Sequence, residues 1–134
     1  MAYTFSAPYD ANDIDQGILA ETVAAGELVA RHTDGTIKLA NAQVGGSNQV
    51  PCIGIAEISG VAGDKIGIVR KCVAMKGATG LTIGAPIYLD ESADGKVTTT
   101  MPTTTSDWVQ SLGHATSATE FCFDVGSGYG YLHA

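Results

Sequence analysis

Charge is scarce in this chain, and what there is leans one way. Only 16% of its 134 residues are charged, and 14 acidic side chains against 7 basic ones leave a formal net charge of −7. Basic residues never cluster beyond the Arg70-Lys71 pair. Gripping a phosphate backbone takes several cations on one face, so no direct nucleic-acid partner is expected. Cysteine is equally sparse: Cys52, Cys72 and Cys122 are odd in number and far apart, and each has an apolar residue after it. Cys72 alone has a charged neighbour, Lys71. The number and separation read as free, buried thiols rather than a disulfide framework or a metal centre. No apolar run approaches the ~20 residues that span a bilayer. The start Met1-Ala2-Tyr3-Thr4-Phe5 lacks the basic and apolar stretches of a secretory signal. The expectation is a soluble chain made in the cytoplasm, with no membrane partner.

Site chemistry is missing as well. His32, His114 and His133 are scattered, and none is spaced with another His, a Cys or a carboxylate pair as a zinc site requires. No Gly-x-Ser-x-Gly elbow is present. The carboxylates of residues 10–15 lack the glycine and terminal glutamate of a calcium loop. The glycines at 126–130 open no helix that would hold a phosphate. Val73-Ala74-Met75-Lys76 resembles the hairpin on which biotinyl carrier domains display a lysine, but Val73 and Gly77 break that pattern. The expectation is a protein that is not an enzyme and uses no cofactor or metal.

What the chain does have is glycine, 17 residues, and 45% apolar content, a composition suited to short strands and tight turns. It also repeats itself. Gly26-Glu27-Leu28-Val29-Ala30, then Asp34-Gly35-Thr36-Ile37, then Ile53-Gly54-Ile55-Ala56 recurs as Gly84-Ala85-Pro86-Ile87-Tyr88, then Asp94-Gly95-Lys96-Val97, then Leu112-Gly113-His114-Ala115. Asp-Gly between alternating runs is a strong hairpin signal. Each copy therefore predicts a hairpin followed by a further strand. Two copies are too few for a solenoid, and each is too small to bury a core alone. The reading is all-β: one domain over residues 17–126, closed as a sandwich or barrel from halves at about 17–75 and 76–126. Further strands are expected at 51–59, at 66–75 as one long run, at 108–115 and at 120–125.

Both ends fall outside the repeat. Residues 1–16 interleave Tyr3, Phe5 and Tyr9 with small polar residues and read as an extended arm. Residues 127–134 carry Tyr129 and Tyr131 among glycines and read as a flexible tail awaiting a partner. An extended aromatic arm suits strand addition to a sheet edge, which makes Ala2, Tyr3, Thr4, Phe5 and Tyr9 the candidate contacts, with Tyr129 and Tyr131 as candidates at the other end.

The glycine-and-strand strings above, together with Ala62-Gly63-Asp64-Lys65-Ile66-Gly67-Ile68-Val69, Ile83-Gly84-Ala85-Pro86-Ile87-Tyr88-Leu89-Asp90 and Gly95-Lys96-Val97-Thr98, resemble the capsid cement, or head decoration, proteins of tailed phages. The resemblance covers roughly residues 17–126. It implies a compact β-barrel or β-tulip-like fold and a homotrimer. Such a protein sits on the outer surface of the expanded virion capsid and bridges subunits of the major capsid protein. The aromatic C-terminal tail has no assigned place in that family pattern. The alternative is a phage tail or fibre component, or a lectin-like binding module, for which Trp108 with Asp107 is the candidate platform.

Overall fold

The computed structural model describes residues 3–5, 14–43, 50–104, 107–126 and 130–132. Thirteen strands account for its regular structure: β1 (Thr4–Phe5), β2 (Ile14–Ile18), β3 (Leu28–Arg31), β4 (Ile37–Leu39), β5 (Cys52–Ala56), β6 (Lys65–Val69), β7 (Lys71–Lys76), β8 (Pro86–Leu89), β9 (Val97–Thr98), β10 (Trp108–Val109), β11 (Ser111–Ala115), β12 (Glu120–Asp124) and β13 (Tyr131–Leu132). They form a five-stranded sheet ordered β2-β6-β5-β3-β4, a six-stranded sheet ordered β1-β7-β12-β11-β8-β9, and a ribbon of β10 with β13. The fold is all-β, and among the described residues it contains no helix and no closed barrel.

The two Asp-Gly turns behave as their residues dictate. Gly35 and Gly95 both take positive φ, joining β3 to β4 and β8 to β9 as antiparallel pairs. After β4 the chain covers β3, with the Ala40 N–H on the Leu28 carbonyl.

Burial follows the period of two. In β3, Leu28 and Ala30 pack into the larger core with Ile55, Val69, Met75, Ile87, Leu89, Leu112, Phe121 and Phe123, residues drawn from both sheets. Val29, between them, points into a second cluster with Ile37, Ala56, Ile66 and Ile68, capped by Leu19 and Val23. The central strands β3 and β5 of the five-stranded sheet are thus buried on both faces, which is why they read as near-continuous apolar runs.

The expected single strand over 66–75 is broken. Arg70, exposed, separates β6 in one sheet from β7 in the other, and its carbonyl accepts the Val125 N–H. The expected strand at 108–115 is likewise divided at Gln110, which is 1% exposed. Its Oε1 accepts the Cys52 N–H at 2.9 Å and the Trp108 indole N–H at 3.0 Å, while its Nε2 donates to the Cys52 carbonyl at 3.0 Å. One side chain therefore ties β5 to the β10–β11 junction and pairs both backbone groups of Cys52.

Cys52 is fully buried and Cys122 is half-buried in β12, and neither is in a disulfide. The Cys72 side chain lies outside the described residues. Burial pushes the Cys52 thiol up to about 12, against weaker hydrogen bonding at Gly54 and Val29. Since the thiolate is the reactive form, iodoacetamide is expected to alkylate Cys122 in the native protein while Cys52 stays protected until urea unfolds the chain, as read by peptide mass mapping.

Candidate functional site

Tyr3, the first described residue, lies in the core rather than on an arm. It is 5% exposed, and four separate contacts fix it. Its ring meets Phe121 edge to face, with centroids 5.0 Å apart and planes at 80°. Its hydroxyl accepts the Val97 N–H at 2.9 Å. The Lys96 ammonium stands 5.0 Å above its ring and pairs at 3.8 Å with Glu27, itself bonded to the Ala24 N–H. Finally, its carbonyl presses on Gly26, where φ is +88° and a Cβ would fall 1.7 Å from the Tyr3 oxygen. Only glycine admits that approach.

Thr4 and Phe5 then pair with Lys76 and Met75 as the edge strand β1. Thr4 is exposed and Phe5 half-buried against the larger core. Of the five candidate arm residues, Tyr3 and Phe5 are thus structural in position, and Thr4 faces solvent. Ala2 and Tyr9 lie outside the described residues. The expected arm boundary at residue 16 runs through β2, whose five residues pair in continuous register with β6.

Tyr131 is 57% exposed, and its hydroxyl lies 3.7 Å from the Met101 sulfur. It belongs to β13, paired with β10, so this part of the expected flexible tail is a strand. Gly130 lies close against β10, where a Cβ would stand 2.4 Å from the Val109 carbonyl oxygen and 2.8 Å from the Trp108 indole. Tyr129 and His133 lie outside the described residues.

Beside Tyr3 is a cavity of about 440 Å³, bounded by the 77–81 loop, by Asp90 and by Lys96, Val97 and Thr99 at and around β9. A smaller hollow holds Glu91. The Asp107 side chain, hydrogen-bonded to Glu91, holds that carboxyl below its ordinary value, helped by Thr104 and Thr103. The Glu91 Oε2 is shut off from solvent with no hydrogen-bond partner among the described residues. Among the described residues, no three His, Cys, Asp or Glu side chains converge as metal ligands. His114 is exposed on β11 opposite Cys122, and Lys76 ends β7 opposite Thr4 and Glu120. Tyr3 was singled out in the sequence as an arm contact, but neither its place in the core nor the cavity beside it was visible in the chain's spacing, because the walls come from positions about ninety residues apart.

Burial raises the Tyr3 phenol above its ordinary value; the Val97 N–H opposes this, and the Asp90 charge adds to the rise. Folded Tyr3 therefore keeps its proton where the unfolded side chain loses it. Its contribution is fully present below about pH 10 and declines as pH rises through the folded value. Urea midpoints measured on the alkaline side are expected to fall with pH in the native protein and to fall less in Tyr3→Phe. Removing residues 2–9 deletes the ring itself and is expected to cost about 3–5 kcal/mol, the range for truncating a buried aromatic.

No protein-family model matches the chain, and no curated protein matches it.

Proposed function

We propose that this chain is a non-enzymatic capsid decoration protein, a homotrimer that binds the outer surface of an expanded phage head and stiffens it by bridging major capsid subunits. The strings in which the chain resembles that family support the reading, and we take the two segments that carry them as matched units. Leaving out β1, the two sheets share one strand order when β2, β6, β5, β3 and β4 are matched with β7, β12, β11, β8 and β9. The hydrogen bonds match too: Gly26 N–H to Ala56 O and Ala56 N–H to Glu27 O correspond to Gly84 N–H to Ala115 O and Ala115 N–H to Ala85 O. Val23 N–H to Gly60 O corresponds to Leu81 N–H to Ala118 O. We read the fold as two copies of one curled unit, the pseudo-repeated barrel-like domain that the resemblance implies.

A rigid duplicated β body acting as a brace needs exposed contact groups rather than a reactive site. Thr4 and Tyr131 are the described candidates at the two ends of the chain. The lectin-like alternative requires Trp108 and Asp107 as an open platform. Asp107 is 5% exposed and the Trp108 indole is bound to Gln110, which counts against that platform.

The test is to mix purified protein with expanded and unexpanded heads of its own phage, pellet the shells and count bound copies. Saturation on expanded heads, at a stoichiometry set by their three-fold positions, is expected; failure to pellet with either shell would sink the proposal. Tyr131→Ala, whose side chain is mostly in water, should leave stability within about 0.5 kcal/mol while weakening shell binding.

A further inference from the structure

The two curled units differ at one seam. In the five-stranded sheet the edges meet through the chain's own backbone: Leu19 bridges Ile37, and the Ala20 N–H donates to the Ile37 carbonyl at 2.9 Å. The matching edges of the six-stranded sheet are β7 and β9, and Val97 stands where Ile37 does. Among the described residues no backbone hydrogen bond joins β7 to β9. The seam is instead wedged by residues 3–5. Thr4 and Phe5 add a sixth strand to β7, and the Tyr3 hydroxyl caps the Val97 amide. Beside Tyr3 the packing is incomplete: a cavity of about 440 Å³ lies between the loop that follows β7, at Leu81, and Lys96, Val97 and Thr99 at and around β9.

A two-residue strand supplies few backbone bonds, so what seats it is the Tyr3 side chain: a ring edge on Phe121, a hydroxyl on Val97 and a cation over the ring. Those contacts are the same whichever molecule supplies the tyrosine. Exchanging an identical element between copies changes no contact and alters only the tether, so it turns on local concentration. We propose that the β7–β9 seam is a strand-acceptor groove, filled by the chain's own residues 3–5 when the protein is dilute and by residues 3–5 of a second copy when copies are crowded. The inference rests on the duplicated-unit reading for the seam's equivalence, not on any capsid.

The groove can be tested in solution without shells. Thr4 is exposed and faces Lys76 in register, so a benzoylphenylalanine in its place reports on which β7 lies alongside without entering the core. Isotopically heavy and light full-length copies carrying it are mixed in equal amounts, held at millimolar concentration and irradiated. Crosslinked peptides joining position 4 to β7 are then sorted by mass. Exchange predicts mixed heavy–light peptides that become as abundant as the unmixed kinds together, that vanish on hundredfold dilution before irradiation, and that fall at least fivefold in Tyr3→Ala. A synthetic peptide of residues 1–7 should compete them away, and the same peptide carrying Tyr3→Ala should not. Exclusively unmixed peptides at every concentration would overturn the proposal, as would mixed ones indifferent to the competing peptide. If Tyr3→Ala loses its far-UV β signal, Tyr3→Phe takes its place, with an expected smaller drop from loss of the Val97 bond. Capsid pelleting is independent of all these outcomes, so either idea can fail alone.

Discussion

Gly113→Ala is expected to unfold the protein or leave it barely stable, with a loss of about 4 kcal/mol or more, in the range reserved for named structural faults. Gly113 sits inside β11, paired with Phe123 of β12, at φ +125°. Two penalties combine there. A residue with a Cβ is strained at that φ, by about 1–3 kcal/mol. The larger penalty is steric: the Cβ would stand 1.9 Å from the Cys122 carbonyl oxygen and 3.0 Å from its carbon, both backbone. No rotamer change relieves a clash with backbone, so β11 and β12 must part, and they carry Leu112, Phe121 and Phe123 in the larger core. Gly35→Ala separates the two effects. Gly35 also has positive φ, +88°, yet nothing lies within 4 Å of its Cβ position. Its cost should be the conformational one alone, about 1–2 kcal/mol. Urea unfolding of the two variants side by side makes the comparison; similar losses for both would mean that φ strain, not the approach of β12, dictates glycine at 113.

Gly35 and Gly95 were legible in the sequence because a hairpin is a local event: the Asp-Gly pair and the alternation on either side lie within one short window. The same holds for the strand class and for the matched strings at 26–56 and 84–115. The break at Arg70 was not legible, since the alternation of Ile66 and Ile68 passes into β7 without a turn residue to mark the change of sheet. Nor was Tyr3, whose composition and neighbours suit an arm. Its fate is decided by Val97 and Phe121, and by the space that Gly26 leaves for its carbonyl. A terminal segment gives no periodicity from which such partners can be inferred. Its exposed neighbour Thr4 and its buried ring are distinguished only by the pairing of β1 with β7.

Gln110→Leu, by the same logic of non-local partners, is the second change expected to be severe. The side chain is buried where β5 meets the β10–β11 junction, and leucine fills similar space while offering no hydrogen bond. Three groups lose their partner: the N–H and carbonyl of Cys52 and the indole N–H of Trp108. A buried polar group left unpaired costs about 1–3 kcal/mol, so about 3–5 kcal/mol is expected in total, with some relief if Trp108 turns its nitrogen to water. Gln110→Glu asks which of those bonds matters. As a carboxylate it still accepts from Cys52 N–H and Trp108, but it sets a negative charge against the Cys52 carbonyl in a buried site. Burial and that carbonyl both favour the protonated acid, which can donate to the carbonyl as the amide did, so its folded pKa lies above the unfolded value. The sign follows: the variant's stability is greatest below about pH 4.3, the ordinary glutamate value, and is lost as pH rises through the folded pKa. Urea midpoints from pH 4 to pH 8 should therefore fall for Gln110→Glu relative to Gln110→Leu, whose own deficit is set by unpaired groups that do not titrate in that range. Parallel curves for the two variants would show that the Cys52 carbonyl does not need a donor and that the junction is held by packing alone.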